Sequence, residues 1–167
     1  MIGVRHRTAA ILLGVGLMAC AAFKPLDRSA EIPPALSELA AAGFTFPADI
    51  RFVHDPMTVC DGITCADLVV IDGRRTIRLA NHAFMSPSKL RASLLEIWPR
   101  YEMPKRGDLP DLARGAVLIV TDGARAGVSD REVMREARFT YRHLWNQLPP
   151  AERKRLPAPD SLPAQPP

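Results

Sequence analysis

Residues 86–100 read SPSKLRASLLEIWPR and carry the strongest structural signal in this chain of 167 residues. Ser86 is a favourable helix cap, and Pro87 is preorganised for the first helical turn. Pro99 should end the helix near Ile97. Between these limits the apolar side chains recur at helical spacing, at Leu90, Leu94, Leu95 and Trp98. The stretch therefore predicts one capped, amphipathic helix.

Upstream of this helix, the chain alternates between extended runs and turn signals. A short helix is expected first, with Pro34 at its start and Gly43 as the left-handed residue that ends it. The Asp-Gly pairs at 61–62 and 72–73 supply the positive backbone angles of tight hairpin turns. Four runs around these pairs look extended, at 50–54, 57–60, 65–71 and 76–80. They predict a small antiparallel β meander.

Two further elements are expected downstream. The apolar run AVLIVTDG, residues 116–123, favours a buried strand because of its length and β-branching, with a short helix from Leu112 as the alternative. Ser129 and Glu132 form a capping box for the longest helix. The Pro149-Pro150 pair stops this helix, whose apolar stripe consists of Val133, Ala137, Tyr141, Leu144, Trp145 and Leu148.

Together these elements predict an α+β fold, in which a small antiparallel meander packs against two main helices. A composition with 47% hydrophobic and 24% charged residues is that of a globular protein. One globular domain is expected over residues 35–156, a length typical of a single core. Residues 157–167 contain five prolines in eleven positions and predict a disordered tail.

Residues 1–20, MIGVRHRTAAILLGVGLMAC, have the layout of a secretory signal, with a positive start followed by an apolar run from Thr8 to Ala19. As a helix, this run rises only about 18 Å, which is too short for a hydrocarbon core of roughly 30 Å. The segment therefore predicts export rather than a lasting membrane span.

The ending Leu17-Met18-Ala19-Cys20 resembles the lipobox of bacterial lipoproteins. The resemblance implies a signal peptide over 1–19 that is cleaved, acyl chains on Cys20 and a lipidated tether over 20–34. It also implies a domain that faces the periplasm, with a preference for the outer membrane because Ala21 rather than an aspartate follows the cysteine. The alternative is an ordinary signal peptide with a chance cysteine.

The charge of the chain gives no sign of a nucleic-acid partner. The formal charge of +4 includes Arg5 and Arg7 of the signal, and the 22 basic residues less these two leave 20 against 18 acidic ones. Basic and acidic residues are interleaved and aromatic residues are few, so no binding stripe is visible. The expected partners are the lipid bilayer, through Cys20, and an envelope protein or a cell-wall component.

Besides Cys20, the chain has two cysteines, Cys60 and Cys65, which flank the segment DGIT. An even number of cysteines in an oxidising compartment favours a disulfide, here across the mouth of a hairpin. A zinc site is the alternative, but a second ligand pair at zinc-binding spacing is lacking in the sequence.

The histidines offer one further metal-site hypothesis. His54 and Asp55 are adjacent, and His82 could approach them across the meander to complete a site. The alternative is a structural histidine that is exposed or hydrogen-bonded. The sequence contains no G-x-S-x-G elbow and no phosphate-binding glycine loop, so it predicts no cofactor and no catalytic residue.

The layout of residues 76–101, a strand followed by a capped helix, is similar to the segment of zinc metallopeptidases that carries the H-E-x-x-H motif. Glu96 stands at the glutamate position, but Leu95 and Pro99 occupy the histidine positions and cannot bind zinc. The resemblance implies at most an inactive relative. The alternative is an amphipathic helix whose Glu96 is solvated.

The functional expectation follows from the predicted anchor and from the missing catalytic motif. The sequence predicts a membrane-anchored lipoprotein of the cell envelope that binds another component and is not an enzyme. The second hypothesis is an enzyme-derived domain, either an inactive or divergent metallopeptidase-like domain or a hydrolase whose site the sequence does not reveal.

Overall fold

A computed structural model describes residues 26–60, 65–100 and 109–163. It confirms the α+β class, with a three-stranded sheet and five α-helices in these residues. The strands are β1 (Arg51–His54), β2 (Ala66–Ile71) and β3 (Arg74–Leu79). The helices are α1 (Ile32–Ala41), α2 (Pro87–Ile97), α3 (Leu109–Asp122), α4 (Arg131–Gln147) and α5 (Pro150–Arg153). The described residues thus contain more α-helix than a fold with two main helices would have.

Helix α2 begins as the sequence predicts and lies at the centre of the fold. The Ser86 hydroxyl accepts a hydrogen bond from the Lys89 amide at 3.0 Å, which caps the helix. After Ile97, the chain continues as a short 3-10 turn, Trp98–Arg100. Nine of the eleven residues of α2 are buried, so this helix is covered on nearly all sides rather than amphipathic.

The apolar run 116–123 lies in helix α3, so the prediction of a strand is wrong and the alternative helix is right. A short apolar run does not distinguish a buried strand from a buried helix. Both bury side chains on opposite faces, so neither shows a polar face in the sequence. Helix α3 packs against both α2 and α4. That double contact explains why residues 116–120, AVLIV, carry no polar side chain.

The sheet is mixed, and the prediction of an antiparallel meander is wrong. Its strand order is β1-β3-β2, with β3 antiparallel to β2 and parallel to β1. Strand β3 carries three buried side chains, Thr76, Ile77 and Leu79, and takes the central position. Residues 57–60 form no strand, because the chain turns at Asp55.

The predicted hairpin at Asp72-Gly73 is confirmed. Both residues have positive φ, +50° at Asp72 and +73° at Gly73, as a two-residue hairpin turn requires. The turn sets the register in which Ala66 lies opposite Leu79. The other Asp-Gly pair, at 61–62, lies outside the described residues.

The folded part of the chain begins earlier than residue 35. Helix α1 starts at Ile32, which is only 2% exposed, and a 3-10 turn, Ser29–Glu31, precedes it. The later part of the predicted 20–34 tether is therefore structured, because the side chain of Ile32 packs into the hydrophobic core. Gly43 ends this region with φ of +89°, as predicted.

The C-terminal half differs from the prediction at two boundaries. Asp130 rather than Ser129 caps α4, since its carboxylate accepts a hydrogen bond from the Glu132 amide at 2.9 Å. Part of the predicted tail is ordered, with a 3-10 turn at Pro159–Ser161. The Tyr141 hydroxyl donates to the Pro157 carbonyl at 2.6 Å and holds the start of that segment on α4.

Helices α2 and α3 meet at Gly115, and we expect this glycine to be required. A Cβ atom there would lie 2.3 Å from the Glu96 carbonyl oxygen and 2.8 Å from Glu96 Cγ. Although alanine is the better helix former by up to about 1 kcal/mol, overpacking against backbone costs about 1–3 kcal/mol. We therefore predict that Gly115→Ala lowers the free energy of unfolding, measured by urea denaturation.

The control for this prediction is Thr121→Ala, at an exposed position of the same helix. Its free energy of unfolding should stay within about 0.5 kcal/mol of the parent value, because the higher helix propensity of alanine offsets the loss of the Thr121 hydroxyl bonds to Val117 and Asp122. An unchanged or raised stability of Gly115→Ala would show that the two helices are not in close contact at this point.

Candidate functional site

The predicted disulfide between Cys60 and Cys65 is confirmed, with Cα atoms 4.3 Å apart. Cys65 is fully buried and immediately precedes β2. Its carbonyl accepts a hydrogen bond from the Ala80 amide at 2.9 Å, which continues the pairing of β2 with β3 by one residue. The bridge therefore joins the 55–60 segment to the open end of the β2–β3 hairpin.

His82 lies beside this bridge. It belongs to the 3-10 turn Asn81–Met85, which leads from β3 into α2, and its side chain is exposed. The two Sγ atoms and an imidazole nitrogen of His82 all lie within 4.8 Å of one another. We call these three residues the Cys-His cluster. It is the one group of three potential metal ligands within the described ranges.

The predicted set of His54, Asp55 and His82 is not brought together as a metal site. His54 is buried, with its side chain 2% exposed. Its Nδ1 accepts from the Arg28 amide at 3.2 Å, and its Nε2 lies 2.6 Å from the Asn81 Oδ1. With these partners Nδ1 is the acceptor and Nε2 is the donor to the Asn81 oxygen. His54 therefore has the structural role that the sequence left as the alternative.

Asp55 shapes a turn at the end of β1 instead of binding a metal. One carboxylate oxygen accepts from the Met57 amide at 3.0 Å, and the other accepts from the Thr58 hydroxyl at 2.9 Å. Arg78 lies 3.4 Å from the second oxygen. The hydrogen bonds from Met57 and Thr58, together with the charge of Arg78, hold the pKa of Asp55 below its usual value of 3.8.

The same turn presents two apolar side chains to solvent. Met57 is 85% exposed and Val59 is 84% exposed. Their backbone is held by Asp55 at one end and by the disulfide at Cys60 at the other. Residues 55–60, termed here the apolar turn, therefore display hydrophobic surface from a fixed backbone. Beyond the Asp-x-x-Thr spacing of Asp55 and Thr58, no sequence pattern predicted this surface.

Glu96, the position that resembles the metallopeptidase glutamate, is buried and only 1% exposed. The expectation of a solvated carboxylate is wrong, because α3 crosses directly over this position at Gly115. Arg100 lies one turn away, with its guanidinium 4.0 Å from the Glu96 carboxylate. Leu95, at a histidine position of the motif, is part of the hydrophobic core. This part of α2 thus serves packing.

The predicted lipidation site, Cys20, lies outside the described residues. No helix in the described part of the chain is long and apolar enough to cross a bilayer. Comparisons of the chain with known protein families, with curated proteins and with solved structures find no match. The chemistry open to functional interpretation is that of the Cys-His cluster and the apolar turn.

We expect the Asp55 carboxylate to stabilise the fold only while it is ionised. Because its folded pKa is lowered, its contribution is present above the usual pKa near 3.8 and is lost as the pH falls through the folded value. Asp55→Asn should lower the free energy of unfolding at pH 7 by about 1 kcal/mol, the typical contribution of a hydrogen bond. Urea denaturation at neutral and acidic pH measures the difference.

Asp72→Asn is the matched control, since Asp72 is exposed and asparagine also tolerates positive φ. This variant should stay within about 0.5 kcal/mol of the parent at every pH. A stability loss in Asp55→Asn that persists at the lowest pH would contradict the role of the ionised carboxylate.

Proposed function

We propose that the protein is a lipoprotein of the bacterial cell envelope, anchored by acylated Cys20 with its folded domain facing the periplasm. The observation that carries the proposal is the sequence of residues 1–20, in which a positive start and a short apolar run end in Leu-Met-Ala-Cys. Several acyl chains on one cysteine stabilise anchoring by about 0.8 kcal/mol for each buried CH2 group. Such an anchor needs no membrane-spanning helix.

The disulfide supports this location. Bridges between cysteines persist in the periplasm and outside the cell, whereas reducing systems keep most cytosolic cysteines as thiols. The Cys60–Cys65 bridge closes only a short loop, so its contribution through chain entropy is small and its main effect is local. It fixes one end of the apolar turn, which suits a surface that must keep its shape outside the cell.

Within the envelope, we infer that the domain binds another component and catalyses no reaction. Met57 and Val59 expose apolar surface from a backbone that hydrogen bonds and a disulfide already hold in place. A preorganised apolar surface binds without the entropic cost of ordering a loop. Methionine is enriched at protein interfaces, so an envelope protein is favoured over a polar cell-wall glycan as the partner.

The anchor is tested by Cys20→Ser in cells that express the full-length chain. Wild-type protein should fractionate with membranes, dissolve only in detergent and carry acyl mass on an N-terminal Cys20. The Cys20→Ser variant should lack that mass, because the hydroxyl of serine does not form the thioether. Fractionation and intact-mass spectrometry provide the measurement.

Cys60→Ser serves as the control, since it removes a cysteine but leaves the lipobox intact. It should remain acylated and membrane-bound. Wild-type protein that keeps residues 1–19 in the cytosol, or that carries no acyl chain after export, would disprove the anchored location.

The binding surface is tested by placing a photo-crosslinking amino acid at position 57 in living cells. We expect a discrete crosslinked product there, and a loss of that product when Val59→Asp adds a charge to the same surface. Position 135 is the control, because Arg135 is also exposed but lies on α4. Products that are identical at both positions, or absent at position 57, would contradict binding through the apolar turn.

A further inference from the structure

The Cys-His cluster brings three metal-binding atoms to the open end of the β2–β3 hairpin. These atoms all lie within 4.8 Å of one another. Metal bonds of about 2.3 Å to sulfur and about 2.0 Å to nitrogen leave two sulfur ligands of one ion at most about 4.6 Å apart, and a sulfur and a nitrogen at most about 4.3 Å apart. Small side-chain rotations therefore suffice to gather the three atoms around one ion.

The donor atoms determine which ions fit. Thiolates are soft ligands that select Cu(I) and Zn(II), and imidazole suits both metals, whereas Mg2+ and Ca2+ prefer oxygen. We propose that the reduced thiols of Cys60 and Cys65, together with His82, form a binding site for one thiophilic metal ion, Cu(I) or Zn(II). With Zn(II), a water molecule completes the usual four-coordinate shell.

The site forms only after reduction of the disulfide. A dithiol reductant supplies two electrons and two protons, so that the Sγ–Sγ bond breaks, two protein thiols form and the reductant becomes a disulfide. Binding of the ion then displaces the two thiol protons. The reverse exchange with a disulfide oxidant, which takes up the two electrons and becomes a dithiol, restores the Sγ–Sγ bond and releases the ion. Metal binding is thereby coupled to the redox state of the pair.

The surrounding structure holds the ligands in place after the bridge opens. The Ala80 amide donates a hydrogen bond to the Cys65 carbonyl at 2.9 Å. Because Ala80 directly precedes the 81–85 turn, this bond keeps the turn beside Cys65 without any help from the sulfur atoms. Ala83 and Phe84 are buried and fix that turn, while His82 remains exposed.

The test uses the full-length chain with Cys20→Ser, purified in detergent, so that only Cys60 and Cys65 supply thiols. The chain is reduced with a dithiol, and the reductant is then removed under anaerobic conditions. Separate samples are titrated with Cu(I) and with Zn(II) in competition with chromophoric chelators. We expect one bound ion per reduced chain and none per oxidised chain. X-ray absorption should show two sulfur ligands and one nitrogen ligand, with an added oxygen for Zn(II).

Two histidine variants make the test specific. His82→Ala should weaken metal binding by more than about tenfold. Mutating a residue that only hydrogen-bonds to a metal ligand already costs about tenfold or more, and loss of a ligand itself should cost at least as much. His143→Ala, which removes an exposed histidine of α4, should bind as the parent does. Binding in one arm alone identifies the ion and supports the site.

The proposal is overturned if neither ion binds the reduced chain, if the oxidised chain binds equally well, or if His82→Ala binds as tightly as the parent. Cys60→Ser, which keeps the buried Cys65, should lose the site without loss of the fold, as circular dichroism can check. Because the tested chain lacks Cys20, none of these outcomes bears on the proposed lipid anchor.

Discussion

The near-complete burial of α2 is the constraint on which the rest of the fold depends, because each polar group on a buried helix needs a partner. The Ser88 hydroxyl accepts from the Asp130 amide at 3.0 Å, and Lys89 pairs with Glu136 at 2.7 Å. Arg91 contacts both the Glu38 carboxylate and the Gly127 carbonyl. Through these bonds α2 fixes α1, the start of α4 and the loop before it. Removing one partner would leave a buried charge or hydrogen-bond donor unpaired. The polar residues of α2 therefore determine which segments can pack against this helix.

This arrangement also positions the Cys-His cluster. The segment between β3 and α2 is short, and its buried members, Ala83 and Phe84, hold it between the sheet and the helix. Phe84 also packs edge-on against the His54 ring, with centroids 4.9 Å apart. His82 therefore has little freedom to move away from Cys60 and Cys65. The cluster is a consequence of packing on both sides of the turn, not of a flexible loop.

Local signals in the sequence predicted the parts of the fold that depend on local chemistry. The Ser86 cap and the Asp72-Gly73 turn needed only neighbouring residues, and both are as predicted. Helix α3 was given only as the alternative to a strand, and the place of β1 was missed, because both depend on contacts between distant segments. The proximity of His82 to Cys65 was within reach, since the turn at 72–73 places residue 65 opposite residue 80 by counting along the hairpin. The Glu96 burial was not, because it depends on a glycine in another helix.

The start of the folded part changes the geometry of the proposed anchor. A tether over 20–34 would let the domain move far from the bilayer, but Arg28 already donates its amide to His54. From Cys20 to Arg28, eight residue steps span at most roughly 29 Å when fully extended. The His54 ring in turn bonds Asn81, the neighbour of His82, so the end of the tether and the Cys-His cluster belong to one side of the domain. With Cys20 acylated as proposed, a partner or metal donor for that side has to act close to the membrane surface.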